Sequence, residues 1–218
     1  MIGKAAATYK KFQMDLIGRM SVGNEDIIYE IPFFDEGFIN TQIERLKRKH
    51  EMLFTEMKIS QELNTEYEIS KRKKLKIQIE VIETKIVHYA INSFKSLPLC
   101  RELVRGKDLK IEGLIDALEC YCDNDKNQAG AKFFEYFREN KIESAYFLGN
   151  KTYGIILAES GKYEEALRHL EYAVQLRVND TELLIWMKKA YLAIGKQFEA
   201  DRISDALYVL GVGGIEHD

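Results

Sequence analysis

The sequence predicts an all-α protein, and three observations lead to this prediction. Only 2 of the 218 residues are Pro and 14 are Gly, so few positions interrupt regular structure. Hydrophobic residues make up 46% of the chain and charged residues 31%, which is typical of a folded helical protein rather than a disordered one. From residue 38 onward, apolar residues recur at intervals of three and four, the period of an amphipathic helix. The length permits one large domain or two small ones.

Residues 1–36 are predicted to form a helix followed by a connector. Lys4, Lys10 and Lys11 interrupt the apolar residues at the start, which favours an amphipathic helix over a signal peptide. An organelle transit peptide is the less favoured alternative. Gly23 and Pro32 then break the helical period. No segment approaches the about 20 consecutive apolar residues that a membrane-spanning helix needs.

Residues 37–98 are predicted to form a coiled-coil helical hairpin. The prediction depends on two seams with steps of three and four, which are apolar except at His50. The first seam consists of Ile39, Ile43, Leu46, His50, Leu53 and Met57, and the second of Leu75, Ile79, Ile82, Ile86 and Ala90. The seams differ in phase, which indicates either a turn between residues 64 and 70 or a stutter within one helix of roughly 60 residues. We favour the turn and expect Pro98 to end the second helix.

Residues 103–212 divide into three predicted helix pairs, and a glycine-rich flexible tail is predicted at 213–218. The pairs cover 108–122 with 127–139, 145–159 with 163–176, and 181–194 with 197–210. They depend on a period of 34 residues, which relates Gly161 to Gly195 and Ala166 to Ala200. A helix-turn-helix unit that recurs at a fixed period is the signature of a stacked helical array.

The repeat at 147–180 resembles the tetratricopeptide repeat (TPR). It has the small residue of the first helix, the Gly-x-Tyr turn and the two alanines of the second helix: Gly154, Gly161, Tyr163, Ala166 and Ala173. The resemblance implies a TPR-like α-solenoid in which about three helix pairs share one continuous core.

Two further repeats extend this resemblance with weaker matches. The repeat at 181–214 keeps Gly195 and Ala200 but has Lys188 where the family prefers a small residue. An earlier repeat, at about 113–146, comes into register after a shift of about one residue. That register places Ala131, Phe134 and Phe137 in its second helix.

The resemblance also implies a binding site, because TPR arrays bind peptides or partner segments on a concave face built from the first helix of each pair. Carried onto this sequence, the predicted partner-binding residues are Leu148, Lys151, Thr152, Ile155, Glu159, Glu182, Ile185, Trp186, Lys189 and Ala193. Trp186, the only Trp, is the predicted anchor, since aromatic residues dominate interface hot spots. Packing between helix pairs is the alternative role for Trp186. Only Lys151 and Lys189 match the carboxylate clamp of some family members, so we do not expect chaperone-type clamping.

Nothing in the sequence points to catalysis. Cys120 and Cys122 lie about 200° apart around a helix, so they cannot easily share a metal ion. The four His are scattered singly, and neither a phosphate-binding loop nor a nucleophile elbow is present. We therefore expect no enzyme activity, no cofactor and no metal. Three cysteines do not form a disulfide framework, which favours the cytoplasm.

These observations favour a non-catalytic protein-interaction module, such as an adaptor, a scaffold or a dedicated chaperone, with self-association through the coiled coil as a second contact. One alternative is a peptide-responsive regulatory switch whose N-terminal helices carry the output. Another is a ribosome-associated or nucleic-acid-associated factor that uses the basic runs at 47–50 and 71–74. Interleaved glutamates and a net charge of -3 argue against nucleic acid, and no membrane partner is expected.

Overall fold

A computed structural model of the chain describes residues 36–62, 65–106 and 110–212. Across these ranges the chain forms nine α-helices and two short 3-10 helices and contains no strand, which confirms the all-α prediction. The predicted N-terminal helix with its connector and the predicted tail at 213–218 lie outside the described residues. The chain divides into two compact units, which we call the hairpin unit (36–115) and the repeat unit (from 116 onward).

The hairpin unit begins with two helices, α1 (Glu36–Gln61) and α2 (Glu66–Ala90), which pack side by side in opposite directions. Lys71 Nζ lies 2.9 Å from Glu56 Oε1, and further along the pair His50 Nε2 lies 3.1 Å from Glu83 Oε1. The chain therefore forms the hairpin rather than one long helix. Thr65 caps α2, because its side chain accepts a hydrogen bond from the Glu68 amide at 3.2 Å. This Thr-x-x-Glu pattern is a sequence signal for the start of a helix.

The two seams of the hairpin differ in burial. All five residues of the α2 seam are buried, whereas the α1 seam is buried only at Ile39 and Ile43 and half-buried from Leu46 to Met57. One reason is that a third helix, α3 (Leu97–Val104), also packs against α2. A second reason is His50, which meets the carboxylate of Glu83 in place of an apolar side chain.

Two boundaries differ from those predicted. The α2 helix ends at Ala90, and Pro98 lies in the first turn of α3, after a 3-10 helix at Phe94–Ser96. Pro is favoured there because the first amides of a helix have no intrahelical acceptor. The division between the units falls after Ile115 rather than at 98–103, since α3 packs on α2.

The helices from residue 112 onward are joined by short connections. They are α4 (Glu112–Cys122), α5 (Lys126–Glu139), a 3-10 helix (Ile142–Ala145), α6 (Tyr146–Glu159), α7 (Tyr163–Leu176), α8 (Thr181–Ala193) and α9 (Gln197–Val209). The pairs α6/α7 and α8/α9 pack closely, and α7 also packs against α8.

The turns inside the three pairs share one hydrogen-bond pattern. Gly161 and Gly195 have φ angles of 76° and 73°, and the following amide bonds back to the helix, Lys162 to Leu157 O and Lys196 to Tyr191 O, both at 2.9 Å. In the first pair Asn124 takes the glycine's place, with φ 64°. The Asp125 amide donates to Cys120 O at 3.0 Å in the same way. Asn is one of the few residues besides Gly that adopt this left-handed conformation.

The position of Asn124 corrects the predicted register of the first repeat. Asn124 precedes Gly161 by 37 residues, whereas Gly195 follows Gly161 by 34. The main reason is the 3-10 helix, which makes the connection from α5 to α6 longer than that from α7 to α8. In the true register Ala129 and Phe133 correspond to Ala166 and Leu170, and all four are fully buried. The three residues that the predicted register placed in this helix do lie in α5, but Ala131 and Phe134 are exposed and Phe137 is half-buried.

Candidate partner-binding surface

The predicted site residues on α6 do not all lie at the surface. Leu148, Thr152 and Ile155 are only 4%, 2% and 3% exposed, so a partner cannot contact them in this structure. Their assignment to the partner-binding concave face stays a prediction. The physical reason for their burial lies in α6 itself, where eleven of the fourteen residues are buried. A helix that is apolar nearly all round is enclosed on all sides.

The charged site residues of α6 are paired within the chain. Lys151 Nζ lies 2.9 Å from Asp180 Oδ1 and 2.8 Å from Glu182 Oε2. Glu159 accepts two hydrogen bonds from Lys126 Nζ, at 2.6 and 2.8 Å. The bond to Glu159 raises the pKa of Lys126, which keeps its ammonium charged. These ion pairs connect α5, α6 and α8, so a partner would have to compete with them.

The remaining predicted residues form one stripe along α8. Ile185 and Trp186 are half-buried, Lys189 and Ala193 are exposed, and the Lys189 Nζ lies 4.4 Å from the centre of the Trp186 ring. At that distance the ammonium is attracted to the ring face. The opposite side of α8 is buried. We call the exposed stripe the α8 face, and its residues are Glu182, Ile185, Trp186, Lys189, Leu192 and Ala193.

Leu192 is the member of the α8 face that the sequence analysis missed. Its side chain is 43% exposed. It follows Ile185 by seven residues, two helical turns, so it extends the apolar stripe toward the end of the helix. That spacing is the signal that would have identified it.

A buried polar cluster at the start of α6 is a second feature that the sequence analysis missed. His169 Nδ1 lies 2.9 Å from Asn150 Oδ1, and the Asn150 amide group donates to the carbonyls of Ile142 and Tyr146 at 2.8 and 2.7 Å. Burial, together with a smaller contribution from the neighbouring Arg168 charge, lowers the pKa of His169 to about 4. His169 is therefore neutral at pH 7 and donates from Nδ1. Being only 8% exposed, it stabilises the α6/α7 pair and does not face a ligand.

The cysteines and other metal-ligating groups form no site in the described residues. No three His, Cys, Asp or Glu side chains in those ranges lie close enough together to hold a metal ion. All three cysteines are free thiols, with Cys100 and Cys120 buried and Cys122 exposed. Burial raises the pKa of Cys100 to about 12, so this thiol is protonated and a poor nucleophile.

The two basic runs of the hairpin do not lie side by side. His50 lies opposite Glu83 and Lys71 opposite Glu56, so the runs are separated along the hairpin by roughly 10 Å at 1.5 Å per residue. The bond to Glu56 raises the pKa of Lys71. The two runs are therefore offset along the hairpin, and the nucleic-acid hypothesis stays a prediction.

Within the described ranges, no helix is both long and apolar enough to cross a membrane. Comparisons with protein-family models, curated proteins and solved structures find no match to this chain. Any conclusion about its function therefore rests on its own residues.

Proposed function

We propose that this chain is a non-catalytic protein-interaction module of the TPR type, an adaptor, scaffold or dedicated chaperone, and that its α8 face binds a peptide or helix of a partner protein. The position of Trp186 supports this proposal most strongly. The only Trp of the chain is half-buried on a helix that also carries the half-buried Ile185 and the exposed Leu192. Trp is the residue most typical of interface hot spots, and neighbouring exposed apolar side chains are typical of docking surfaces.

The local geometry of the helix pairs supports the TPR part of the proposal. All three turns end the first helix with a left-handed residue and the same backbone hydrogen bond. In the middle pair Gly154 lies against Leu170 so closely that a Cβ at position 154 would be 2.6 Å from Leu170 Cδ2. Small residues that let two helices approach are the basis of the repeat. The register set by Asn124 places another small residue, the fully buried Ala117, at the position equivalent to Gly154.

The binding surface in this proposal is smaller than the one implied by the resemblance. The α6 positions are closed or paired, so a partner would contact α8 alone and not the whole concave face. The chemistry of the neighbouring groups supports binding rather than catalysis. Lys151 and Glu159 are held in ion pairs, and His169 is neutral and buried.

The proposal is tested by affinity purification of the full chain from the cell that produces it, followed by mass spectrometry. The variant combines Trp186→Ala with Lys189→Glu. The matched control is Phe134→Ala, which removes a 62% exposed aromatic side chain from α5 of the same unit. We expect the double variant to lose at least one partner that the control retains. If circular dichroism shows the double variant to be folded and every partner still co-purifies, the α8 face is not the binding site.

A further inference from the structure

We propose that the segment bound by the α8 face is acidic, an amphipathic stretch of another protein in which a carboxylate neighbours a large apolar side chain. This inference rests on the proposed function and adds the chemical class of the partner. It follows from the unequal charge at the two ends of the face.

The end of the face near the start of α8 carries no excess charge. Glu182 is bonded to Lys151, and Lys151 also pairs with Asp180. Arg177 Nη1 lies 4.0 Å from Asp180 Oδ2 and brings a second positive charge to the same group. Two carboxylates and two cations therefore balance one another at this end.

At the other end of the face, the amines of Lys188, Lys189 and Lys196 are not held in ion pairs within the described residues. Lys188 and Lys189 lie in the last two turns of α8, and Lys196 follows in the turn to α9. In the described part of the chain, no carboxylate oxygen lies within the 4.0 Å ion-pair distance of these three amines. Lys189 and Lys196 are exposed, and Lys188 is half-buried. This end of the face therefore attracts a negative group of a ligand.

The contact between Lys189 and Trp186 places a charged group and an apolar surface side by side. Its ammonium is held 4.4 Å from the ring centre, so a ligand carboxylate that reaches Lys189 also lies beside the Trp186 ring. The apolar side chain next to that carboxylate would then pack on Ile185, Trp186 and Leu192. Exposed ion pairs are weak, so we expect a preference of about fivefold for an acidic over a basic segment at low salt, decreasing as salt rises.

The experiment titrates the full chain with three synthetic amphipathic peptides of about 20 residues, long enough for several helical turns. The peptides share one Leu and Phe stripe, lack Trp, and carry Glu, Gln or Lys at the flanking positions. Trp186 fluorescence reports binding, since the chain has only one Trp. We expect the Glu peptide to bind most tightly and the Lys peptide least tightly. Lys189→Gln should weaken this order and Lys189→Glu should weaken it further, because Lys188 and Lys196 remain.

The control and the opposing outcomes separate this inference from the proposed function. The control variant, Lys141→Glu, reverses an exposed charge before the 3-10 helix of the same unit and should leave the order unchanged. Equal binding of all three peptides, or tightest binding of the Lys peptide, overturns the acidic-partner inference and leaves the α8 face as a binding site. If none of the three peptides changes the Trp186 fluorescence, the result contradicts both proposals. A concentration-dependent dimer in light scattering that Lys189→Glu abolishes would assign the face to a second copy and overturn the inference.

Discussion

Replacing Gly154 by Ala is expected to destabilise the repeat unit, even though Ala is the better helix former. Gly154 lies in the middle of α6 and faces α7. A Cβ there would be 2.6 Å from Leu170 Cδ2, 2.7 Å from Leu170 Cγ and 3.2 Å from the backbone oxygen of Ala166. Leu170 is fully buried, so its side chain cannot swing into solvent to relieve the contact.

The expected size of the effect follows from two opposing terms. Gly to Ala in a helix interior raises stability by about 1 kcal/mol. Inserting a methyl group into a packed core lowers it by about 1–3 kcal/mol, and the upper half of that range applies here because the contact involves Cγ and backbone as well as a terminal methyl group. We expect a net loss of about 1–2 kcal/mol in the free energy of unfolding.

The assay is urea denaturation of the full chain followed by Trp186 fluorescence. Trp186 is the only Trp and belongs to the repeat unit, so the transition reports that unit. Leu170→Ala alone should lower the free energy of unfolding by about 2–5 kcal/mol. In that background only the contact with the Ala166 backbone oxygen at 3.2 Å remains, so Gly154→Ala should be close to neutral.

The matched control is Gly130→Ala in the middle of α5. A Cβ at position 130 would meet only a terminal methyl of Ile156, at 3.3 Å. That methyl can shift by a few tenths of an ångström, so we expect little change or a small gain. If Gly154→Ala raises stability as much as helix propensity alone predicts, the close approach of α6 and α7 is not what places glycine at position 154.

Three other predictions follow from the same contacts. The pKa of His169 is about 4 in the folded chain, whereas the ordinary value is 6.5. The contribution of neutral His169 to folding stability is therefore complete above pH 6.5 and is lost as pH falls toward 4. Thermal or urea unfolding should show a loss of about 2 kcal/mol between pH 7 and pH 5, which His169→Gln removes. Asp180 caps α8 through the Leu183 amide at 2.9 Å and pairs with Lys151, so Asp180→Ala should cost about 2 kcal/mol or more, whereas Asp180→Asn keeps the cap and should cost less. Because Gly161 has a φ of 76°, Gly161→Ala should cost about 1 kcal/mol in urea denaturation, and Asn124→Gly should be neutral or slightly stabilising.

The sequence predicted the fold well where a signal is local. Periodicity predicts the helices and the hairpin, and Gly161 and Gly195 predict the two main turns of the repeat unit. These features depend on residues that are close together in the sequence. The register of the first repeat was missed because its turn uses Asn124 and its connection is longer. A fixed period of 34 residues assumes equal connections, so it shifted the predicted inward side chains of α5 to Ala131 and Phe134 in place of Ala129 and Phe133.

The candidate site was predicted less well, because exposure depends on what packs around a helix. Thr152 and Trp186 occupy equivalent positions 34 residues apart, yet Thr152 is buried and Trp186 is half-buried. A resemblance to a family identifies equivalent positions along the chain. It does not identify the residues that pack around each of these positions. The partners of Lys151 and Glu159 were likewise unpredictable, since Asp180 and Lys126 lie 29 and 33 residues away in the sequence.

The composition of α6 and α8 explains why only one of them offers a surface. Helix α6 carries buried residues around nearly its whole circumference, and its two charged side chains, Lys151 and Glu159, are both held in ion pairs. Helix α8 confines its buried residues to one side and places Trp186 and Lys189 on the other. A ligand that bound α6 would have to break ion pairs and open a core, whereas a ligand on α8 would cover apolar area that is already in contact with water. The lower energetic requirement on α8 is the physical reason to look for the partner there.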